Sequence, residues 1–111
     1  MTSSHLEQYI RMQALTEQLG TESEKFMSAF VDLQDQVLAT GALSNHIKQL
    51  MALTIVIVLR CDECITTYVH DALKAGATRN EILEAIQVAI LMGGMPVVVY
   101  AGEALEALNQ L

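Results

Sequence analysis

The sequence predicts an all-α domain of about six helices, and three observations point there. Capping boxes of the form Ser/Thr-x-x-Glu stand at Ser4–Glu7, Thr21–Glu24 and Thr78–Glu81. In each, the hydroxyl can accept from the third helical N–H while the carboxylate reaches back to the cap's own N–H. Gly20 and Gly76 lie just before two of those starts, where left-handed helix ends fall. Gly93-Gly94 followed by Pro96 marks a further break and a new first turn.

The first two boxes predict helices over 5–19 and 22–39. Ser44, after Thr40-Gly41, caps a third over 45–59. That segment is apolar on every side (Leu50, Met51, Leu53 and Ile55 through Leu59), which suits the middle of a bundle or a subunit interface. A fourth helix covers 61–75 and stops at Gly76, a fifth covers 79–92, and a sixth covers 96–109. A rival reading takes the β-branched runs Thr54–Val58 and Val97–Tyr100 as strands of a thioredoxin-like fold. Residues 1–50 offer no strand to complete such a sheet, and no aromatic–Cys–Gly–Pro–Cys signature surrounds the cysteines.

A chain of 111 residues forms one domain, 1–111, with no repeat and only short linkers. Its 52% hydrophobic content and mean hydropathy of +0.36 are high for a soluble monomer, so part of the apolar surface is expected to meet another subunit. Thirteen acidic against six basic residues leave a net charge of −7 and no basic stripe, which argues against nucleic acid as a partner. The longest apolar run, Met51 to Leu59, falls far short of the ~20 residues needed to cross a bilayer. The opening Met1-Thr2-Ser3-Ser4-His5 has neither the cationic nor the apolar region of a signal peptide, so the expected address is the cytoplasm, with no membrane partner.

The chemistry centres on the chain's two cysteines, Cys61-Asp62-Glu63-Cys64. Sulfurs at i and i+3 of a helix share a face and can form a disulfide, bind a soft metal, or cycle between thiol and disulfide. In a cytoplasmic chain a lone CxxC is more often redox-active or metal-binding than a staple. A zinc site needs four ligands, and the two cysteines with His5, His46 and His70 do not make a convincing set in one chain, so neither metal nor cofactor is expected. A helix N-terminus and Arg60 favour a thiolate at Cys61, whereas Asp62 and Glu63 oppose it.

Helical geometry sorts the neighbours. Tyr68, four residues beyond Cys64, shares its face; His70, nine beyond Cys61, falls on roughly the opposite side at ~100° per residue. The nearest histidine in sequence is therefore not the expected base. His46 lies one turn before Gln49 and reads as a polar residue near a helix start, with a substitute base as the sharper alternative. Glu63, Glu81, Glu103 and Glu106 read as solvated or capping charges, and the six methionines as packing residues.

A set of segments, in order, carries a resemblance: Ala42-Leu43-Ser44, Gln49-Leu50, Leu59-Arg60-Cys61-x-x-Cys64-Ile65, Ala72-Leu73-Lys74-Ala75-Gly76-Ala77-Thr78, Glu81-Ile82, Glu84-Ala85 and Gly93-Gly94. Together they resemble the carboxymuconolactone decarboxylase superfamily over roughly residues 42–105, and the CxxC places the resemblance with the alkylhydroperoxidase D-like branch. The most specific parts are the CxxC and the Ala-Gly-Ala-Thr-x-x-Glu-Ile turn that begins eleven residues after Cys64.

The resemblance implies an all-helical fold that assembles into homotrimers or homohexamers. It implies a thiol-dependent peroxidase or disulfide reductase whose partners are a peroxide or disulfide substrate and a thiol reductant. On that carry-over Cys64 attacks and Cys61 resolves the sulfenic acid, against the capping argument, which favours Cys61 as the more readily ionised sulfur. Two positions depart from the pattern. Active members carry a histidine four residues after the second cysteine and a glutamate twelve before the first, where this chain has Tyr68 and Gln49. A phenol is a poor base at neutral pH and an amide does not titrate, so the site keeps its polarity without its base. An ordinary thiol is still a few per cent ionised at neutral pH, which leaves room for weak activity. Gln49 meets the cysteines only if the chain reverses after its helix, since twelve helical residues span ~18 Å.

The leading expectation is thus a thiol–disulfide oxidoreductase with antioxidant, peroxidase-type chemistry at Cys61, Cys64, Tyr68 and Gln49. The alternative is an oligomeric binding or structural protein that kept the scaffold and lost turnover. A lactone decarboxylase ranks below both, because the CxxC marks the other branch and no basic pocket for a carboxylate is evident.

Overall fold

The computed structural model describes residues 4–111, which form six α-helices: α1 (His5–Glu22), α2 (Glu24–Leu38), α3 (Asn45–Val58), α4 (Asp62–Lys74), α5 (Arg79–Gly93) and α6 (Met95–Gln110). Among the described residues there is no strand. The β-branched runs Thr54–Val58 and Val97–Tyr100 lie inside α3 and α6, where buried packing outweighs the few tenths of a kcal/mol that such residues cost a helix.

The core is built from one stripe per helix in the second half of the chain. Leu53 and Ile57 of α3 meet Ile65, Val69 and Ala72 of α4, Ile82, Ile86 and Ala89 of α5, and Val97, Ala101, Ala104 and Leu108 of α6. The three- and four-residue spacings put each set on one helical face. Each fully buried Leu, Ile or Val contributes about 1.5–3 kcal/mol, and the alanines of α6 let that helix approach closely. α3 packs against α2, α4, α5 and α6, and α1 lies across α4 and α6.

Three expected caps are present. Ser4 Oγ accepts from Glu7 N–H at 3.1 Å and Ser44 Oγ from Ile47 N–H at 3.3 Å, while Thr78 and Glu81 complete both halves of a capping box. The start expected at Thr21 is not there. α1 continues through Gly20 to Glu22, and the break falls at Ser23 (φ −135°, ψ 57°). The Thr21 hydroxyl donates to Glu17 O at 3.2 Å instead, the option open to a hydroxyl inside a helix. The carbonyls at the end of α2 are bonded by the first turn of α3: Asn45 Nδ2 donates to Leu38 O, and Lys48 Nζ to Val37 O and Ala39 O.

α3 is apolar on both faces, and the two differ in burial. Leu53 and Ile57 are fully buried, while Ile47, Met51 and Ile55 on the other face remain 40–56% exposed. With Val88 of α5 they line an apolar groove of about 480 Å³. Among the described residues no helix is long and apolar enough to cross a membrane.

Candidate active site

The end of α3 fixes where the cysteines go. Arg60 adopts φ 61°, a left-handed conformation unusual for a residue with a side chain. Its N–H donates to Ile57 O (3.0 Å) and the Cys61 N–H donates to Val56 O (3.2 Å), the paired bonds of a Schellman turn. The same turn closes α4, where Gly76 (φ 97°) holds the left-handed position. The turn at Arg60 delivers Cys61 as the N-cap of α4, with Cys64 in the first turn. The two are joined as a disulfide, with Cα atoms 5.2 Å apart.

Cys64 opens on a cleft of about 590 Å³ between α1, α2 and α4, and Cys61 does not line it. Thr67, Tyr68 and Asp71 continue the floor from Cys64 at i+3, i+4 and i+7, one stripe of α4. Tyr9 and Met12 of α1 form one wall, Met27 and Phe30 of α2 the other. The Tyr9 hydroxyl is held above the usual phenol range, first by burial and then by the nearby Asp71 carboxylate. Glu63, between the cysteines, lies 3.6 Å from Arg11 of α1, an exposed pair that offsets part of its charge.

The expected site residues fall in two places. Cys64 and Tyr68 share the cleft. Gln49 is buried in an adjoining pocket of about 410 Å³, beside Asn45 and Lys74, and its Oε1 has no protein hydrogen-bond partner. Gln34 and Asp71 line both pockets and form the boundary between them. Of the histidines, His46 bonds Glu81 Oε2 (3.0 Å) at the start of α5. His70 is half-buried beneath Tyr9. His5 is buried against α4 and α6, bonded to Thr66 (2.7 Å).

Sequence reasoning missed Asp71 and the walls. Asp71 was within reach of the same helical arithmetic that found Tyr68, since seven residues are almost two full turns. Tyr9, Met27 and Phe30 carry no local signal, because only tertiary packing brings α1 and α2 over α4.

The model of the carboxymuconolactone decarboxylase family matches residues 24–107, and the chain belongs to that family. It is 34% identical over 94 residues to an uncharacterised protein of Cupriavidus necator, covering 82% of this chain and 83% of that one. Among solved structures it is similar to a carboxymuconolactone decarboxylase family protein of Legionella pneumophila in its apo form. That match has a TM-score of 0.91 and 30% identity over 96% of this chain and 95% of the other. A Thermotoga maritima family protein, described with a suggested part in an antioxidative response, matches with a TM-score of 0.81 and 27% identity, covering 92% and 87% of the two chains. The Cys61–Cys64 pair fits the branch of the family that carries a CxxC.

Proposed function

We propose that the protein is a thiol–disulfide oxidoreductase of the peroxidase type, in which Cys64 attacks and Cys61 resolves. One observation carries the reading: of the two paired sulfurs at the start of α4, only Cys64 opens on the cleft. The Cys64 thiolate attacks a peroxide oxygen, so that an S–O bond forms, the O–O bond breaks, and the alcohol or water leaves with a proton. Cys61 then attacks the Cys64 sulfenic acid, forming the disulfide and releasing water. A dithiol reductant returns two electrons and two protons.

The free N–H groups and positive end of α4 favour negative charge in its first turn, where Cys64 lies. Tyr68 and Tyr9 offer hydroxyls to the bound peroxide, beside the apolar side chains of Met12, Met27 and Phe30. Gln49 acts from the adjoining pocket, as a polar residue behind the floor rather than a proton carrier. The exposed apolar rows of α3 and α5 support assembly with further copies of the chain, as a homotrimer or homohexamer, and the proposed dithiol chemistry suits a reducing cytoplasm. A second reading, a binding or structural oligomer without turnover, is favoured by the phenol at position 68 and the placement of Gln49 outside the cleft.

Thiol titration before and after one equivalent of peroxide tests the proposal. Reduced protein should lose both of its two thiols, and Cys64→Ser should abolish peroxide consumption. A Cys64→Ser variant that consumes peroxide at the wild-type rate overturns the assignment.

A further inference from the structure

We propose that His5, Glu103 and Glu106 form a divalent-metal site where α1 meets α4 and α6, independent of the cysteines. His5, the first residue of α1, is only 3% exposed, and its backbone N–H donates to Gln110 Oε1 at 2.8 Å. Its ring Nδ1 lies 2.7 Å from Thr66 Oγ1. The Thr66 hydroxyl has a single proton, which goes to Gln8 Oε1 at 3.0 Å, with Asp62 O a longer acceptor at 3.5 Å. With its proton on Gln8, Thr66 accepts from the ring and Nδ1 carries the hydrogen.

With Nδ1 as the donor, Nε2 is the ring nitrogen left for a proton or a metal ion. It lies 3.4 Å from Glu103 Oε2 and 3.9 Å from Glu106 Oε1, and ionised carboxylates have no hydrogen to donate. A ring nitrogen beside two carboxylates favours a cation there, either a proton on the ring or a metal ion between the three groups. An imidazole nitrogen with two carboxylates is a donor set for zinc or a similar first-row ion, not for calcium.

The spacing fits. Ligand atoms about 2.1 Å from a tetrahedral ion are about 3.4 Å apart, which is the His5–Glu103 separation of 3.4 Å. All three ligand atoms lie within 4.8 Å of one another, and the more exposed Glu106 has room to close the remaining gap. A ring that ligates through one nitrogen while donating from the other to a fixed oxygen is the usual outer-shell arrangement of metal-bound histidine. Tyr9 stands one turn after His5, so an ion here would pin the α1 wall of the cleft from its far end.

The test uses the full chain with the Cys61–Cys64 disulfide intact, so that the sulfurs cannot take up metal. Zinc titrated by calorimetry should bind at one ion per chain. At a hundredfold excess over Kd it should raise Tm by on the order of 10 °C, reversibly with chelator. Glu103→Gln should weaken binding at least tenfold, and Thr66→Val by about 10–100-fold, with circular dichroism confirming that each variant is folded. A Cys61→Ser, Cys64→Ser double variant, which has no sulfur to offer the ion, should bind zinc as wild type does. No saturable binding below about 1 mM, or equal affinity in Glu103→Gln, overturns the proposal. So does a nitrogen-15 spectrum showing both His5 ring nitrogens protonated with zinc in excess, since the cation would then be a proton.

Discussion

The ring of Tyr9 lies on that of His70, centroids 3.9 Å apart and planes inclined by 28°. His70 Nδ1 also lies 3.2 Å from Asp71 Oδ1, so this histidine has one face covered and one nitrogen engaged. It holds α1 against α4 and leaves the sulfurs to other residues. Tyr9, with its hydroxyl pKa raised, stays protonated at neutral pH and remains a donor at the cleft wall.

Position 68 is then the place to restore a base. Tyr68→His would put an imidazole one turn from Cys64 on the same cleft-facing stripe. Peroxide consumption at pH 7 should rise by roughly 10²-fold, the lower end of what a positioned base supplies. Gln49→Glu alone should do far less, because residue 49 opens on the neighbouring pocket. Steady-state peroxide assays on the two variants separate these outcomes.

Arg60 stores strain at the turn before the cysteines. Arg60→Gly relieves the left-handed penalty and should stabilise the fold by about 1 kcal/mol, raising Tm by about 4 °C, whereas Arg60→Ala keeps the penalty and should not. Thermal melts of the three proteins give the comparison.

Glu81 titrates below the usual carboxylate range, held there by the Thr78 backbone N–H and then by His46. A carboxyl depressed on folding stabilises the native state above its unfolded value of about 4.5, and that contribution is lost as pH falls through the folded value. Glu81→Gln should therefore be less stable than wild type at pH 7, with the gap closing as the pH drops below 4.5. Urea unfolding across that range reads the difference.

The apolar groove along Ile47, Met51, Ile55 and Val88 gives the fourth prediction. Ile55, 56% exposed, contributes little to the core of one chain. Ile55→Asp should leave the helical signal intact and shift the sedimenting species from an oligomer to a smaller one. An unchanged sedimentation coefficient would remove this face from the proposed interface.

The second half of the fold was legible because its signals are local. Ser44 and Thr78 cap where expected, and Gly76 and Gly94 turn the chain with positive φ. The α1–α2 corner misled because a capping box acts only where the chain leaves the helix. Thr21 had an intrahelical acceptor in Glu17, so the exit moved to Ser23. The site divides the same way. Cys64 and Tyr68 follow from i, i+4 geometry, whereas the separation of Gln49 from the cleft depends on how α3 packs beside α4. Buried His5 also escaped, because its partners Thr66 and Glu103 lie on helices remote in sequence.

The floor of the cleft belongs to α4, whose Ile65, Val69 and Ala72 are anchored in the core. Its walls belong to helices that bury no apolar side chain: α1 buries His5 alone, and α2 buries none. Floor and walls therefore open at different free energies, and amide exchange in α1 and α2 should run ahead of exchange in α4. The sulfurs ride on the slow part of the molecule under a roof that breathes. On the proposed thiol chemistry, a protein reductant would reach the disulfide by lifting the roof, without unfolding the helix that holds it.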